Sequence, residues 1–350
     1  MARKRTKRRI SAKRRRPLRN RYGRMHRSAF QLGITAAKEM LLQHEIIPFQ
    51  LMDMNRRWNH WLKLMKYSVH PWSRYLQLNR SFFQGITHQS RIPAPHWLLL
   101  PTDQTVAAIV TAMNEETTID QVLNQLKRMP LTEIIVVVNG SKDQTFHMVR
   151  KHADVVAVHF NEPLGHDVGR ALGAKISRSD IMLFLDGDIP VKAEQLIPFI
   201  GALNGELDAA LNEMTPYLND FSQRDGVTIV KEMLNRVLGR PDLGANSLTA
   251  VPHALTRRAV ETIGFENLAV PPKAQAIAIK KGLRIGPAAG VDVVASNRIR
   301  KTNVGIQNPV SELIIGDHVE ALHYVFKEDG ARMSYADEIR KRNAVFEVNV

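Results

Sequence analysis

A chain of 350 residues that is 44% hydrophobic can bury a sizeable core and has room for two domains, or for one domain with extensions. It holds no cysteine, which excludes disulfides and thiolate metal sites, and no apolar run reaches the ~18–20 residues of a membrane-spanning helix. The net charge of +15 is concentrated: residues 1–27 carry fourteen Lys or Arg and no acid, so the rest is a near-neutral body.

Residues 1–27 are too charged and too poor in apolar side chains to fold alone, and are expected to be a basic disordered arm. Such an arm binds an anionic surface, membrane or polyanion, electrostatically. Its one aromatic is Tyr22, so no specific nucleic-acid readout is expected. A solubilising or targeting tail is the plainer alternative. No apolar h-region follows the charges, so a secretory leader is not expected. The expected location is cytoplasmic, with peripheral attachment to an anionic membrane surface through the arm.

Residues 28–104 read as a helical extension and linker. Apolar residues recur at helical spacing in FQLGITAAKEMLL and WNHWLKLMKYSV. Trp58, Trp61 and Trp72 with Met52, Met54 and Met65 could face a membrane, but aromatic stripes at this spacing are more often core. Three prolines in residues 91–104 mark the linker.

From residue 105 strand and helix alternate. Strands are expected at 105–113, 133–138, 155–160 and 181–185, with helices over 116–129, 142–152 and 167–177 between them. The helix over 116–129 carries Ile119, Val122, Leu123 and Leu126 on one face. This alternation predicts an α/β, Rossmann-like, mostly parallel sheet with helices on both faces. Further on, a helix over 193–203, a short strand at 210–214 and a helix carrying Val227, Val230, Met233, Leu234 and Val237 follow. A turn or strand leading into a helix that ends near Gly264, another helix over 273–281 and edge strands in 283–295 complete a domain over 105–304. Residues 305–350 are expected to be C-terminal helices.

Each of the four strands ends in polar residues. These are Thr111 to Glu116, Asn139 to Thr145, Leu164 to Arg170, and Asp186-Gly187-Asp188 after the apolar run Ile181–Leu185. Two carboxylates one residue apart at the end of a buried strand stand where open α/β sheets bind ligands, and suit a hard cation such as Mg²⁺ or Mn²⁺. A D-G pair is also ordinary turn chemistry, and both readings stand on the pair alone. Four polar ends on one sheet edge favour a ligand site.

The stretches TAMNEE, VVVNGSKDQT, LGHDVGRALGA and IMLFLDGD together resemble the GT-A-fold, nucleotide-sugar-dependent glycosyltransferases, family 2 in particular. The resemblance covers residues 105–190 firmly, 191–300 loosely and 1–100 not at all. It implies a hexosyltransferase-type enzyme using a nucleotide-diphosphate sugar and a divalent cation, Mg or Mn. It places Thr111, Met113, Glu115, Asn139, Ser141, His166, Arg170 and Gly187 at the nucleotide sugar, and Asp186 and Asp188 at the metal.

The chain departs from the pattern. Thr111 replaces a proline, Val138-Asn139 an acidic pair, and His166 a lysine. The helix that in inverting members opens with a catalytic acid begins here Val270-Pro271-Pro272-Lys273. A late histidine ligand is missing near Val293–Asn297, where Asn297 is a poor substitute. The base is then expected elsewhere, with Glu213, Asp220 and Asp292 as candidates; a retaining enzyme would need none at that place. The alternative is a catalytically impaired GT-A-like binding or assembly protein. A nucleotidyltransferase fits less well, because TAMNEE is not a glycine-rich phosphate loop.

Overall fold

The computed structural model describes residues 18–42, 50–293, 308–333 and 335–347. Three helices precede the sheet: α1 (Leu18–Leu42), α2 (Leu51–Met65) and α3 (Trp72–Ser90). The chain divides into two units, Met1–Gln50 with Tyr67–His96, and Leu51–Lys66 with Trp97–Val350.

In the first unit α1 packs on α3 through glycine. A Cβ on Gly33 would lie 2.0 Å from the Phe82 carbonyl oxygen, and one on Gly85 would lie 2.1 Å from that of Phe30. The backbones therefore touch, with Ala29, Ala36 and Ala37 buried along the same seam. His26 Nδ1 sits 2.6 Å from Ser81 Oγ across it. Residues 18–27 of the expected disordered arm are the first turns of α1. Packing of a long apolar face sustains a helix through a basic start that could not fold alone.

In the second unit, α2 is anchored to the segment entering the sheet. Asn55 Oδ1 accepts from Leu100 N at 2.8 Å, and Asn59 Nδ2 donates to Leu100 O and Thr102 O, both at 2.9 Å. Trp58, Trp61 and Met54 are buried, as core rather than as a membrane face.

The sheet has seven strands: β1 (Val106–Ala112), β2 (Glu133–Asn139), β3 (Val156–Phe160), β4 (Ile181–Asp186), β5 (Ala209–Asn212), β6 (His253–Thr256) and β7 (Ile285–Ala289). Their order is β3-β2-β1-β4-β6-β5-β7. Only β6 among them runs antiparallel to its neighbours. The helices are α4 (Ile119–Leu126), α5 (Thr145–Arg150), α6 (Val168–Ile176), α7 (Ala193–Ala202), α8 (Gly226–Val237), α9 (Arg257–Ile263), α10 (Pro271–Lys280), α11 (Pro309–Asp329) and α12 (Ala344–Glu347). The chain winds outward from β1 to β3, then returns to place β4 on the other side of β1. That reversal makes a crevice beyond the carboxyl ends of β1 and β4.

The core strands are apolar on both faces, so the unbroken runs IIVVV and IMLFL are what the sheet requires. On one face α6, α9 and α10 close over Ile109, Phe184 and Leu255. Arg128 forms an ion pair with Glu194, tying the end of α4 to α7. Two helices start later than periodicity alone predicts. Glu115 O accepts from both Thr118 N and Ile119 N, making a turn before α4. Asp143 Oδ1 accepts from Thr145 N at 2.9 Å and sets the start of α5. Of the edge strands expected over 283–295, β7 is observed; residues 294 and 295 lie outside the described residues.

Candidate active site

The crevice is built from paired strand ends. Thr111 stands opposite Asp186 in the β1–β4 register. Thr111 Oγ1 donates to Asp186 Oδ1 at 3.0 Å, and Gly187 N donates to Thr111 O at 2.8 Å. Thr118 Oγ1 donates to Gly187 O at 2.9 Å. A Cβ on Gly187 would lie 2.9 Å from that of Ala112, so only glycine lets the turn lie this close to β1. Asp186 and Asp188 are both half-buried on this turn.

Small residues on α6 bring a cation to the same carboxylate. A Cβ on Gly169 would sit 2.8 Å from Thr111 Cγ2, and one on Gly173 would sit 2.4 Å from Ile109 Cγ2. The helix thus lies directly on β1, and Arg170 is buried between them and the crevice. Its Nη2 is 3.2 Å from Asp186 Oδ1, and its Nη1 is 2.8 Å from Asp167 Oδ1. Asp167 holds a left-handed backbone, φ 60°, before α6. Burial pushes its carboxyl up, although Arg170 draws it down.

Other titratable groups surround this corner. Burial, with Arg170 near, lowers the Lys231 amine on α8 to about 8. Burial, with Asp167 and Glu320 near, raises the Asp317 carboxyl on α11 to about 6. His253 stacks on Phe184 with ring centroids 4.9 Å apart, and its Nδ1 is 3.0 Å from Ala250 O. Burial, helped by Arg170, lowers it to about 3. Arg170, Phe184, His253 and Pro271 line a small cavity here.

The polar strand ends are laced to one another. Asn114, at φ 60°, donates from its N to Ser141 Oγ at 3.0 Å and accepts from Lys142 N at 2.8 Å. Glu115 N donates to Thr145 Oγ1 at 2.7 Å. The Glu115 side chain is buried and accepts from Thr118 Oγ1 at 3.3 Å, within the loop. Asn139 uses both ends of its amide on the third loop, donating to Gly165 O at 2.9 Å and accepting from Leu164 N at 2.7 Å. Met113 and His166 are exposed.

The candidate bases separate. Glu213 follows β5, on the same sheet edge as Asp186 with β6 between, about 10 Å away by strand spacing. Burial alone would raise its carboxyl, but bonds from Thr215 N at 2.9 Å and Asn246 Nδ2 at 3.1 Å hold it below the usual range. Asn212 ties this edge to β7, accepting from Val291 N at 2.8 Å, which brings Asp292 alongside. Asp220 is exposed, at the start of a short 3-10 turn. Residues 294–297, in the stretch where the family pattern places a late metal ligand, lie outside the described residues.

Among the described residues no group of three or more His, Cys, Asp or Glu could cage a metal. Two half-buried carboxylates on one turn do suit a cation that keeps most of its coordination for water and a ligand's phosphates. Sequence reading missed Lys231, Asp317 and His253. Lys231 had a signal, since a lysine there interrupts an apolar stripe of Val227 and Leu234 on α8 and Leu238 just after it.

The doubly wound sheet thus gathers an acidic pair, a buried arginine and laced polar loops at its switch point, where open α/β sheets bind ligands. Residues 107–260 match the family described as glycosyl transferase family 2. The 4,4'-diaponeurosporenoate glycosyltransferase of Staphylococcus haemolyticus is 30% identical over 105 residues, 28% of this chain and 28% of that protein. The chain thus spans little more than a quarter of that relative. Among solved structures, glucosyl-3-phosphoglycerate synthase of Mycobacterium tuberculosis with Mn²⁺, UDP and phosphoglyceric acid is 18% identical. The match covers 67% of this chain and 80% of that one, with a TM-score of 0.46. The same enzyme with Mg²⁺ and UDP matches at 17% identity over 67% and 81%, with a TM-score of 0.42.

Proposed function

We propose that the chain is a metal-dependent glycosyltransferase that moves a sugar from a nucleotide-diphosphate donor to an acceptor. The observation that carries this reading is the Asp186-Gly187-Asp188 turn at the switch-point crevice, rimmed by the loops 111–116, 139–145 and 164–170. Asp186 and Asp188 would hold a Mg²⁺ or Mn²⁺ ion shared with the donor diphosphate; such an ion neutralises charge on the leaving diphosphate. Arg170 adds a fixed, buried positive charge beside the same carboxylate. The loops 111–116 and 139–145, rigid through their mutual hydrogen bonds, would orient the nucleoside without reorganising.

Glu213 is the candidate that best suits the acceptor side. It stands on the correct edge, and its two hydrogen-bond donors keep it ionised and aimed, ready to take a proton from an acceptor hydroxyl. With a lowered pKa it is a weak base, so it would act on a hydroxyl already losing its proton in the transition state.

A second reading, a donor-binding protein without turnover, is favoured by one contact. The Arg170 guanidinium already covers a carboxylate that a cation would need. Donor hydrolysis separates the two. Purified protein with a panel of nucleotide-diphosphate sugars and Mn²⁺ is expected to release nucleoside diphosphate, and chelation is expected to stop it. Binding of a donor without release would support the second reading; absence of binding to any donor would remove both.

A further inference from the structure

The positive charge of this protein is not confined to its first residues. The unit formed by residues 1–50 and 67–96 holds eighteen Lys or Arg against two Glu, a net +16. The rest of the chain holds 31 Lys or Arg against 32 Asp or Glu, a net −1. Eight of those basic residues, against Glu39, stand in the described residues 18–42 and 67–96, so the helix pair itself carries basic charge that the sheet unit lacks.

The described helices show where that charge lies. Among the exposed residues of α1, Arg24, Arg27, Gln31, Thr35, Lys38 and Leu42 are spaced three or four apart. They form one stripe, opposite the Gly33 seam. Along α3 and its cap the exposed basic residues are Arg74, Arg80 and Arg91. Glu39 is the single acid among the described residues of the unit. The glycine contact fixes these faces outward, because both helices spend their small residues on each other.

Apolar side chains stand in line with the charges. Leu41 and Leu42, 51% and 78% exposed, continue the α1 stripe beyond Lys38. Ile92, 54% exposed, follows Arg91. Exposed aliphatic tips beside arginine and lysine suit an interface of lipid headgroups and acyl chains. They offer nothing to a nucleic acid, whose single strands are gripped by aromatic stacking. Over residues 23–42 of α1 and along α3 the aromatics Phe30, Trp72, Tyr75, Phe82 and Phe83 are buried or half-buried.

We propose that the folded α1–α3 pair is a docking surface for an anionic phospholipid bilayer. Its arginines and lysine meet the headgroup charge while Leu41, Leu42 and Ile92 enter the headgroup–acyl boundary. This proposal does not depend on the activity proposed for the crevice.

The full chain is tested by co-sedimentation with vesicles of phosphatidylcholine alone, or of phosphatidylcholine with phosphatidylglycerol. The wild type is expected to bind only the anionic vesicles, and less as salt rises. A variant with R24Q, R27Q, K38Q, R74Q, R80Q and R91Q keeps the first 23 residues intact. It is expected to bind about tenfold or more weakly with an unchanged melting temperature, because each basic residue near an anionic surface contributes separately. Binding equal to wild type would overturn the proposal, as would binding of RNA by a wild type that ignores anionic vesicles. If that variant melts early, hydrogen exchange of the wild type decides. Anionic vesicles should then protect segments 24–42 and 74–92, and protection confined to other segments would overturn the proposal.

Discussion

Arg170 bridges two carboxylates that come from different elements, Asp167 before α6 and Asp186 at the end of β4. With the Arg170 and Asp167 side chains only 6% and 9% exposed, removal of the cation leaves a buried acid without its partner. Arg170→Met is therefore expected to destabilise the fold by about 3–5 kcal/mol, read by urea denaturation. A loss below about 1 kcal/mol, the range of an exposed pair, would mean that water reaches the cluster freely. Lysine cannot replace the planar fork that spans both acids, so Arg170→Lys should recover only part of the loss. Some of this site was legible at the residue scale. Asp186, Asp188 and Arg170 stood in stretches with a recognisable chemical pattern. Asp167 and Asp317 did not, because what makes them unusual is burial by other elements, and burial of a single polar residue has no local signature.

At the scale of elements, α6 sets the site by how close it lies to β1. Gly173→Ala would drive a Cβ to 2.4 Å from Ile109 Cγ2 in the middle of the core. Overpacking of this kind costs about 1–3 kcal/mol, and it should also displace Arg170 from Asp186. Gly316 gives the contrast. It lies inside α11 with nothing within 4 Å of an added Cβ, so Gly316→Ala should stabilise by about 0.5–1 kcal/mol. Thermal melts of the two variants should shift in opposite directions; shifts of one sign would show that the close approach of α6 is not what fixes its position. Elements were the best-read level of this chain. The alternation from residue 105 foretold β1 to β4 and the helices between them, because buried parallel strands are apolar throughout. The helix starts at Ile119 and Thr145 were missed because a backbone turn on Glu115 O and the Asp143 side chain, not periodicity, set them. The place of β6 between β4 and β5 was not foretold either. The stretch before the Gly264 helix reads as a turn or strand, but nothing in a four-residue run gives its direction or its neighbours.

Over the whole molecule, acid should weaken the fold through its buried histidines. Burial lowers His318 from 6.5 to about 4 and His253 from 6.5 to about 3. The unfolded chain then binds protons that the folded chain refuses, so the stability they contribute is present above 6.5 and is lost as pH falls toward 4. Asp317, raised to about 6, acts in the opposite sense, its protonation favouring the folded state as pH drops through that value. Asp167, also raised by burial, acts with Asp317, whereas Glu213, held below the usual range, adds to the histidines' loss on acidification. His318→Leu should flatten the dependence of unfolding free energy on pH over this range, and an unchanged slope would show that His318 is charged in the fold. The partition of charge between the units was visible in the composition, but that it extends onto folded helices was not. The central claim, that the acidic turn of β4 serves a donor diphosphate, is tested most directly by calorimetry. UDP is titrated into the wild type and into Asp188→Asn, each with and without Mn²⁺. Metal should tighten binding to the wild type, and Asp188→Asn should lose most of that gain, because one of the two carboxylates that would hold the cation is gone. Equal affinities in all four titrations would make Asp186-Gly187-Asp188 an ordinary turn, and the crevice would lose its assignment as a donor site.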